Sequence, residues 1–148
     1  MALSILKISK KGYNKFVDDE IKNSLIDDFG KKHGMDHYKT YTFKEKKVLL
    51  GAKQNGKVVG ALSLTINRGS ARIGSFAVSK KMRGKGIGSA LLDECKKAAR
   101  ENGCEKLWLW TLPNMPAYKF YKKQGFIEEA RLKRQWGGKD LCVMSRFI

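Results

Sequence analysis

The chain has 148 residues, 42% of them hydrophobic, which predicts a single domain over residues 1–148 with its own core and excludes a disordered chain. Its formal net charge of +17 favours anionic partners such as nucleic acid, an acidic protein or a phosphate-rich cofactor. There is no apolar window of about 18 residues, and the N-terminal charges follow a short apolar run, the reverse of a secretory signal. A cytoplasmic protein that does not cross a membrane is therefore expected.

The first half of the chain predicts a strand, a helix and a hairpin. The strand covers residues 3–9, and an apolar stripe over residues 11–32 indicates a helix that ends near Gly30. Two alternating segments then flank Asn55-Gly56, a dipeptide typical of a two-residue primed turn. A third strand over residues 71–78 leads into the segment M-R-G-K-G-I-G-S-A-L-L.

The second half alternates helices and strands. An amphipathic helix begins at Ile87 and is followed by Gly103, and residues 104–112 then form a buried strand. A short helix over residues 113–123 precedes a final hairpin, residues 126–134 and 139–147. This order predicts a mixed α/β (α+β) fold whose sheet is mostly antiparallel, with a strand–loop–helix–strand unit in its middle.

Cysteines and histidines give no metal or disulfide signal. The three cysteines are an odd number without CxxC spacing, and Cys95 lies on the apolar face of its helix, as a buried inert thiol would. His33 and His37 are spaced i, i+4, but Gly34 lies between them and no third ligand is evident. No metal site is predicted.

The glycine-rich segment after the third strand fails two familiar nucleotide patterns. A dinucleotide-binding G-x-G-x-x-G begun at Gly84 requires glycine or alanine where Ser89 stands. The nearest Walker-like stretch ends in Val58 instead of serine or threonine, and it lies in the predicted hairpin. Neither nucleotide-binding motif is present.

A diphosphate site remains consistent with the same glycines. Gly84, Gly86 and Gly88 allow backbone N–H groups to turn toward a ligand at the N-terminus of a helix, where the helix dipole favours an anion. Arg83 and Lys85 add positive charge. A tight strand-to-helix connection would explain the glycines equally well, so the residues alone leave both interpretations open.

The segment R-G-K-G-I-G resembles the Gln/Arg-x-x-Gly-x-Gly/Ala motif of the GCN5-related N-acetyltransferase (GNAT) family. S-F-A-V before it is similar to the family's fourth strand, and L-P-N-M-P-A-Y-K-F-Y-K-K-Q-G-F is similar to its N-x-x-A-x-x-F-Y-x-x-x-G-F signature. K-D-L-C-V-M-S-R is similar to its last strand, so the resemblance runs from about Val58 to the C-terminus. It implies a GNAT-like fold of about seven strands and four helices, with acetyl-CoA as the cosubstrate.

The resemblance also implies roles for individual residues. Backbone groups of Phe76, Ala77 and Val78 are expected to pair with the pantetheine arm, and one of their N–H groups to face the thioester carbonyl. Asn114 matches a side chain that hydrogen-bonds the cofactor. The residues expected around the pyrophosphate are Arg83, Gly84, Lys85, Gly86, Ile87, Gly88 and Ser89.

Tyr121 matches the general acid that protonates the departing thiolate. A phenol suits this role because its ordinary pKa of about 10 lies close to that of a thiol. Tyr118, three residues earlier, could face the sulfur instead, and Tyr121 could be a packing residue. Asn114 could likewise be a loop or capping asparagine beside Pro113.

A general base cannot be assigned from the sequence. The strands that carry a glutamate in many family members hold no carboxylate in their interior here, and Glu105 only begins its strand. Asp36 and His37 are candidates, although surface positions explain them equally well. Deprotonation of the amine through water is therefore expected.

The predicted function is transfer of an acetyl group from acetyl-CoA to a primary amine within a ternary complex. The acceptor is a protein N-terminus, a lysine or a small amine. The alternatives are a non-catalytic CoA-binding module and a basic nucleic-acid-binding domain. The expected partners are acetyl-CoA and the acceptor, with a homodimer left open and neither membrane nor nucleic acid expected.

Overall fold

The computed structural model describes residues 9–12, 14–15, 19, 45–67 and 69–148. The chain divides into two compact units, Met1–Phe43 and Lys44–Ile148. In the first unit, residues 10–12, 14–15 and 19 are helical, in agreement with the predicted helix. Residues 3–8 of the predicted first strand, together with Asp36 and both histidines, lie outside the described residues.

The second unit is a mixed α/β structure, labelled here in its own chain order. Its described part forms one six-stranded sheet of order β1-β2-β3-β4-β6-β5, in which only the β3–β4 pair is parallel. The elements are β1 (Lys46–Gln54), β2 (Lys57–Asn67), β3 (Ser70–Val78), a 3₁₀ helix (Lys80–Met82), α1 (Ile87–Glu101), β4 (Lys106–Thr111), α2 (Pro116–Lys123), β5 (Ile127–Trp136) and β6 (Lys139–Phe147). The predicted fold class and the central β3–α1–β4 unit are confirmed, and the described part of the second unit holds six strands and three helices, against about seven and about four expected for the whole chain.

Local chemistry accounts for the turns. Asn55 and Gly56 have φ angles of 49° and 74°, both positive as a type I′ turn requires, which confirms the predicted hairpin. The helix predicted from residue 113 begins only at Pro116, because Asn114 has a φ of 64° and Met115 is extended. Proline then occupies the first helical position, where its missing N–H costs nothing.

The core lies on the face of the sheet that both helices cover. Leu92, Cys95 and Ala99 of α1, spaced three and four residues apart, enter one buried cluster with Tyr121 of α2. Fully burying a leucine of this kind contributes about 1.5–3 kcal/mol. The strand residues of the cluster are Leu62, Leu64, Ile66, Ala71, Ile73, Leu107, Leu109, Cys142 and Met144.

The parallel strands β3 and β4 separate after a short contact. They pair only over Ser70–Arg72 and Lys106–Trp108, so the remaining residues of β3 are not paired with β4. Beside this gap, β3 carries one residue more than β2, because Leu62 pairs with Phe76 and Leu64 with Ile73. This β-bulge turns Phe76 to the face of the sheet that Ile73 shares, which is the face toward the helices.

Candidate functional site

A cavity of about 630 Å³ lies where β3 ends and α1 begins, and α2 forms its other wall. Every residue that the sequence predicts for the site lines this cavity except Lys85 and Asn114. The gap between β3 and β4 and the glycine-rich loop therefore belong to one concave region, as expected of a ligand site at the carboxyl ends of parallel strands.

The glycine-rich loop presents the uncapped N-terminus of α1 to this cavity. Gly84 and Gly86 have φ angles of 75° and 79°, a conformation that residues with a Cβ rarely adopt. Gly86 is the N-cap residue, no side chain caps the helix, and its first turn holds no acidic residue. The first amides of α1 are thus left to a ligand, and both their N–H groups and the helix dipole favour an anion.

Peptide groups of β3 face the gap in alternation. The N–H of Ser79 donates to the carbonyl of Val59 at 2.8 Å, so the antiparallel register directs Ala77 toward β2 as well. Phe76 and Val78 therefore turn their peptide groups toward the open side. The three predicted pantetheine contacts thus differ, with the backbone of Ala77 engaged by β2 and that of its two neighbours facing the gap.

The cations of the loop have different positions. Arg83 donates from Nε to the carbonyl of Val78 at 3.1 Å, which joins the loop to the end of β3. Lys85 Nζ lies 3.9 Å from the sulfur of Met82 and does not line the cavity. Lys123, at the end of α2, lines the cavity from the opposite wall.

Tyr121 lies within an aromatic cluster below the cavity. Its side chain is 6% exposed and packs against Phe126, Phe120 and Phe76, with ring centroids 5.3, 5.4 and 6.2 Å away. Burial raises the pKa of the Tyr121 phenol above its ordinary value of 10, and the neighbouring Cys95 raises it further. The hydroxyl is protonated at neutral pH, as a general acid must be, and its raised pKa lies further from that of a thiol than the ordinary phenol value does.

Tyr118 has a different environment on the same helix. Its hydroxyl donates to Oε2 of Glu128 at 2.7 Å, and Arg131 holds the same carboxylate through Nε and an Nη atom at 2.8 and 3.0 Å. The guanidinium of Arg131 and then the Tyr118 hydroxyl lower the pKa of Glu128 to about 2. Because Tyr118 does not line the cavity, Tyr121 is the tyrosine placed at the candidate site.

Asn114 is exposed and stands in the turn before α2. Its left-handed backbone is one that asparagine tolerates better than most residues, and this explains the residue without any ligand. The structure thus places Asn114 in the loop position that the sequence left as its alternative.

Some cavity residues are not among those predicted from the sequence. Gln124 lines the cavity and donates from Nε2 to the Ser89 hydroxyl at 3.0 Å, which joins the end of α2 to the first turn of α1. Phe120 packs on Phe76, with ring centroids 5.8 Å apart. The family signature could have identified Phe120, whereas Lys123 is one of 31 basic residues and could not be singled out.

Cysteine chemistry and a metal centre find no support in the described ranges. Burial raises the pKa of the Cys95 thiol to about 12, so it is not a thiolate at neutral pH. No group of three metal-ligating side chains occurs among the described residues. No described helix is both long and apolar enough to span a membrane.

Comparison with known proteins gives consistent results. A model described as the acetyltransferase (GNAT) family matches residues 18–126. An uncharacterized N-acetyltransferase of Methanocaldococcus jannaschii is 34% identical over 90 residues, 55% of this chain and 39% of that protein. A second curated relative, from Bacillus subtilis, is matched over 45% of its length, so the chain spans less than half of either protein.

Two solved structures have the same fold. An acetyltransferase from Bacillus cereus superimposes with a TM-score of 0.70 at 20% identity, over 98% of both chains. An acetyltransferase from Bacillus anthracis, solved with acetyl coenzyme A, gives 0.66 at 25% identity over 73% of this chain and 66% of that one.

Proposed function

The chain belongs to the acetyltransferase (GNAT) family, and from this we propose that it transfers an acetyl group from acetyl-CoA to a primary amine. The amine is that of a protein N-terminus, a lysine or a small molecule. The transfer is direct, with both substrates bound in a ternary complex. One observation carries the proposal: a single cavity joins an anion-binding helix terminus, the open edge of β3 and a buried tyrosine.

The loop and α1 bind the phosphates of the cosubstrate. The free amides at the start of α1 donate to the pyrophosphate, and Gly84 and Gly86 let the backbone approach it closely. Lys123 adds a positive charge from the opposite wall. Arg83 keeps the loop against the end of β3 through its bond to the Val78 carbonyl.

The open edge of β3 positions the thioester. Phe76 offers its peptide groups and Val78 its N–H to the pantetheine arm, which pairs with them like an added strand, while the Val78 carbonyl accepts from Arg83. One of their N–H groups points to the thioester oxygen and stabilises the negative charge that develops there during attack by the amine.

Tyr121 donates a proton to the sulfur as the carbon–sulfur bond breaks. Burial keeps its phenol protonated until that moment, and the surrounding rings restrict its orientation. The attacking nitrogen loses its own proton to water. Because β3 and β4 contain no carboxylate, no side chain of these two strands takes over that step.

The proposal is tested first at the loop. Isothermal titration with acetyl-CoA compares the wild type, Gly86→Ala and the control Gly56→Ala. Both glycines have a positive φ with no atom within 4 Å of an added Cβ, so both variants acquire the same backbone strain. In Gly86→Ala this strain, about 1–2 kcal/mol, should turn the amides of the loop and weaken acetyl-CoA binding roughly tenfold. Gly56→Ala should bind acetyl-CoA as the wild type does.

The contradicting results are equally definite. Equal affinity of the two variants would remove the loop from the binding site, and a wild type that does not bind acetyl-CoA would refute the proposal.

The ternary-complex route predicts intersecting lines in initial-velocity plots with varied amine and acetyl-CoA. Parallel lines would indicate a ping-pong route through an acetylated enzyme.

A further inference from the structure

We propose that Trp110 and Trp136 form the acceptor subsite, which takes a primary monoamine carried on a flat apolar group. The inference rests on the proposed acetyl transfer and narrows its acceptor. Among the described residues, Trp110 and Trp136 are the two large exposed aromatic side chains that contact each other.

Trp110 borders the gap between β3 and β4. Leu107 and Leu109 of β4 are buried on the face toward the helices, so Trp110 projects from the opposite face. The β3–β4 register pairs Ser70 with Lys106, and continued along both strands it brings Trp110 level with Gly74. The strands have already separated at that level, so the indole stands beside the opening through which an amine can meet the thioester.

Trp136 reaches this position from the end of β5. The register between β5 and β6 shifts after Leu132, and Trp136 is again paired with β6 at Lys139. Its ring centroid lies 5.5 Å from that of Trp110, with the ring planes at 76°. Trp110 and Trp136 are 46% and 56% exposed. A bound ligand that removes their apolar surface from water would gain hydrophobic free energy.

The geometry of the pair selects a flat apolar group. Two nearly perpendicular indoles form a corner with one ring face on each side, and a planar or branched apolar group can contact both. Aromatic contacts of this kind contribute about 0.5–1.5 kcal/mol beyond the burial of area. A ring face also attracts an ammonium group, the form in which most primary amines arrive.

The surrounding charge selects a single amine. Lys133, Arg134 and Lys139 flank Trp136 along the hairpin, and they repel an acceptor with further positive charges. Asp140, whose Oδ1 accepts the backbone N–H of Arg134 at 3.1 Å, carries one negative charge against these three positive ones. A polyamine is therefore a poor acceptor, and an arylalkyl monoamine is a good one.

The test compares phenethylamine with spermidine as acceptors at saturating acetyl-CoA. Trp136→Ala should raise the KM for phenethylamine about five- to tenfold, leaving the KM for acetyl-CoA unchanged. In the wild type, kcat/KM should be higher for phenethylamine than for spermidine. The matched control is Phe147→Ala, since Phe147 is an aromatic residue 69% exposed beside Lys106, at the other end of β4.

The subsite is refuted if the two variants change KM for phenethylamine equally, or if spermidine is the better acceptor. Tryptophan fluorescence during a phenethylamine titration of the CoA complex separates this failure from that of acetyl transfer. A change in the wild type that weakens in Trp136→Ala, without acetylation of any amine, supports the subsite and refutes the transfer. Acetylation of phenethylamine without a change in fluorescence refutes the subsite alone.

Discussion

Tyr118 and Tyr121 stand one turn apart on α2 and carry the same hydroxyl, yet their surroundings give them different properties. Tyr118 is tied to Glu128 outside the cavity, whereas Tyr121 is buried among rings that line or support the cavity. The sequence indicated Tyr121 through its match to the family motif and kept Tyr118 as the alternative, because residues three apart in a helix lie on the same side.

Removing each hydroxyl in turn tests the assignment. Tyr121→Phe should lower kcat by about 10²–10⁴-fold, because the thiolate then leaves without a proton from the enzyme. The KM for acetyl-CoA and the melting temperature should change little, since the ring remains. Steady-state kinetics with Tyr118→Phe provide the control, and a loss of the same size in that variant would contradict the role of Tyr121.

Glu128 links α2 to β5 through Tyr118 and Arg131, and its ionisation should make stability depend on pH. Its pKa falls from 4.5 to about 2, so folding favours the carboxylate. The stability it adds is complete above pH 4.5 and is lost as the pH falls toward 2. In thermal melts, the wild type should exceed Glu128→Gln at pH 7, with the difference shrinking below pH 4.5. A difference independent of pH would assign Glu128 a packing role instead.

At the scale of elements, the bulge in β3 determines which side chains reach the cavity. Ser63 fills the space beside Gly74, and its hydroxyl accepts the N–H of Ser75 at 2.8 Å. A Cβ on Gly74 would lie 2.7 Å from that oxygen. A one-residue shift in register would turn the following side chains to the other face of the sheet. The fit between Gly74 and Ser63 holds the bulge in place and so keeps Phe76 on the face that lines the cavity.

Gly74→Ala should therefore be destabilising, whereas Gly51→Ala on β1 should be neutral or stabilising. A Cβ on Gly51 has no neighbour nearer than 3.9 Å, and alanine in a strand gains about 0.5–1 kcal/mol over glycine. The displaced hydroxyl of Ser63 loses a hydrogen bond worth about 1 kcal/mol. Urea unfolding should place the two variants about 1–2 kcal/mol apart.

A second substitution checks the cause. In a Ser63→Ala background the nearest atom to the added Cβ is the backbone carbonyl oxygen of residue 63 at 3.8 Å, so Gly74→Ala should there behave like Gly51→Ala. If Gly74→Ala remains equally harmful in that background, the clash with the Ser63 hydroxyl is not its cause.

Most elements of the second unit could be predicted because each depends on local chemistry. Asn55-Gly56 determines a turn, and the apolar spacing from Ile87 determines a helix. The bulge could not be predicted, since it depends on Ser63 meeting Gly74 across two strands. The strand of Trp110 was predicted to be buried, but only one of its faces is, and Trp110 lies on the exposed one.

The charge of +17 gives the whole molecule a general preference for anions but does not determine where they bind. The cavity provides a binding position, because Gly86 and the uncapped first turn of α1 attract an anion through backbone groups that carry no formal charge. Basic side chains such as Lys123 add to this, but their role depends on tertiary position and not on spacing. The sequence therefore indicated the glycine loop and Arg83 of this cavity, but not Lys123.

Acetyl transfer is measured most directly by mass spectrometry of a reaction containing the protein, acetyl-CoA and phenethylamine. We expect the acetamide and free CoA to form in equal amounts, and Tyr121→Phe to slow both together. We also expect the protein itself to carry no acetyl group during turnover. A protein that binds acetyl-CoA but acetylates no amine across a panel of primary amines would be a CoA-binding module and not the proposed acetyltransferase.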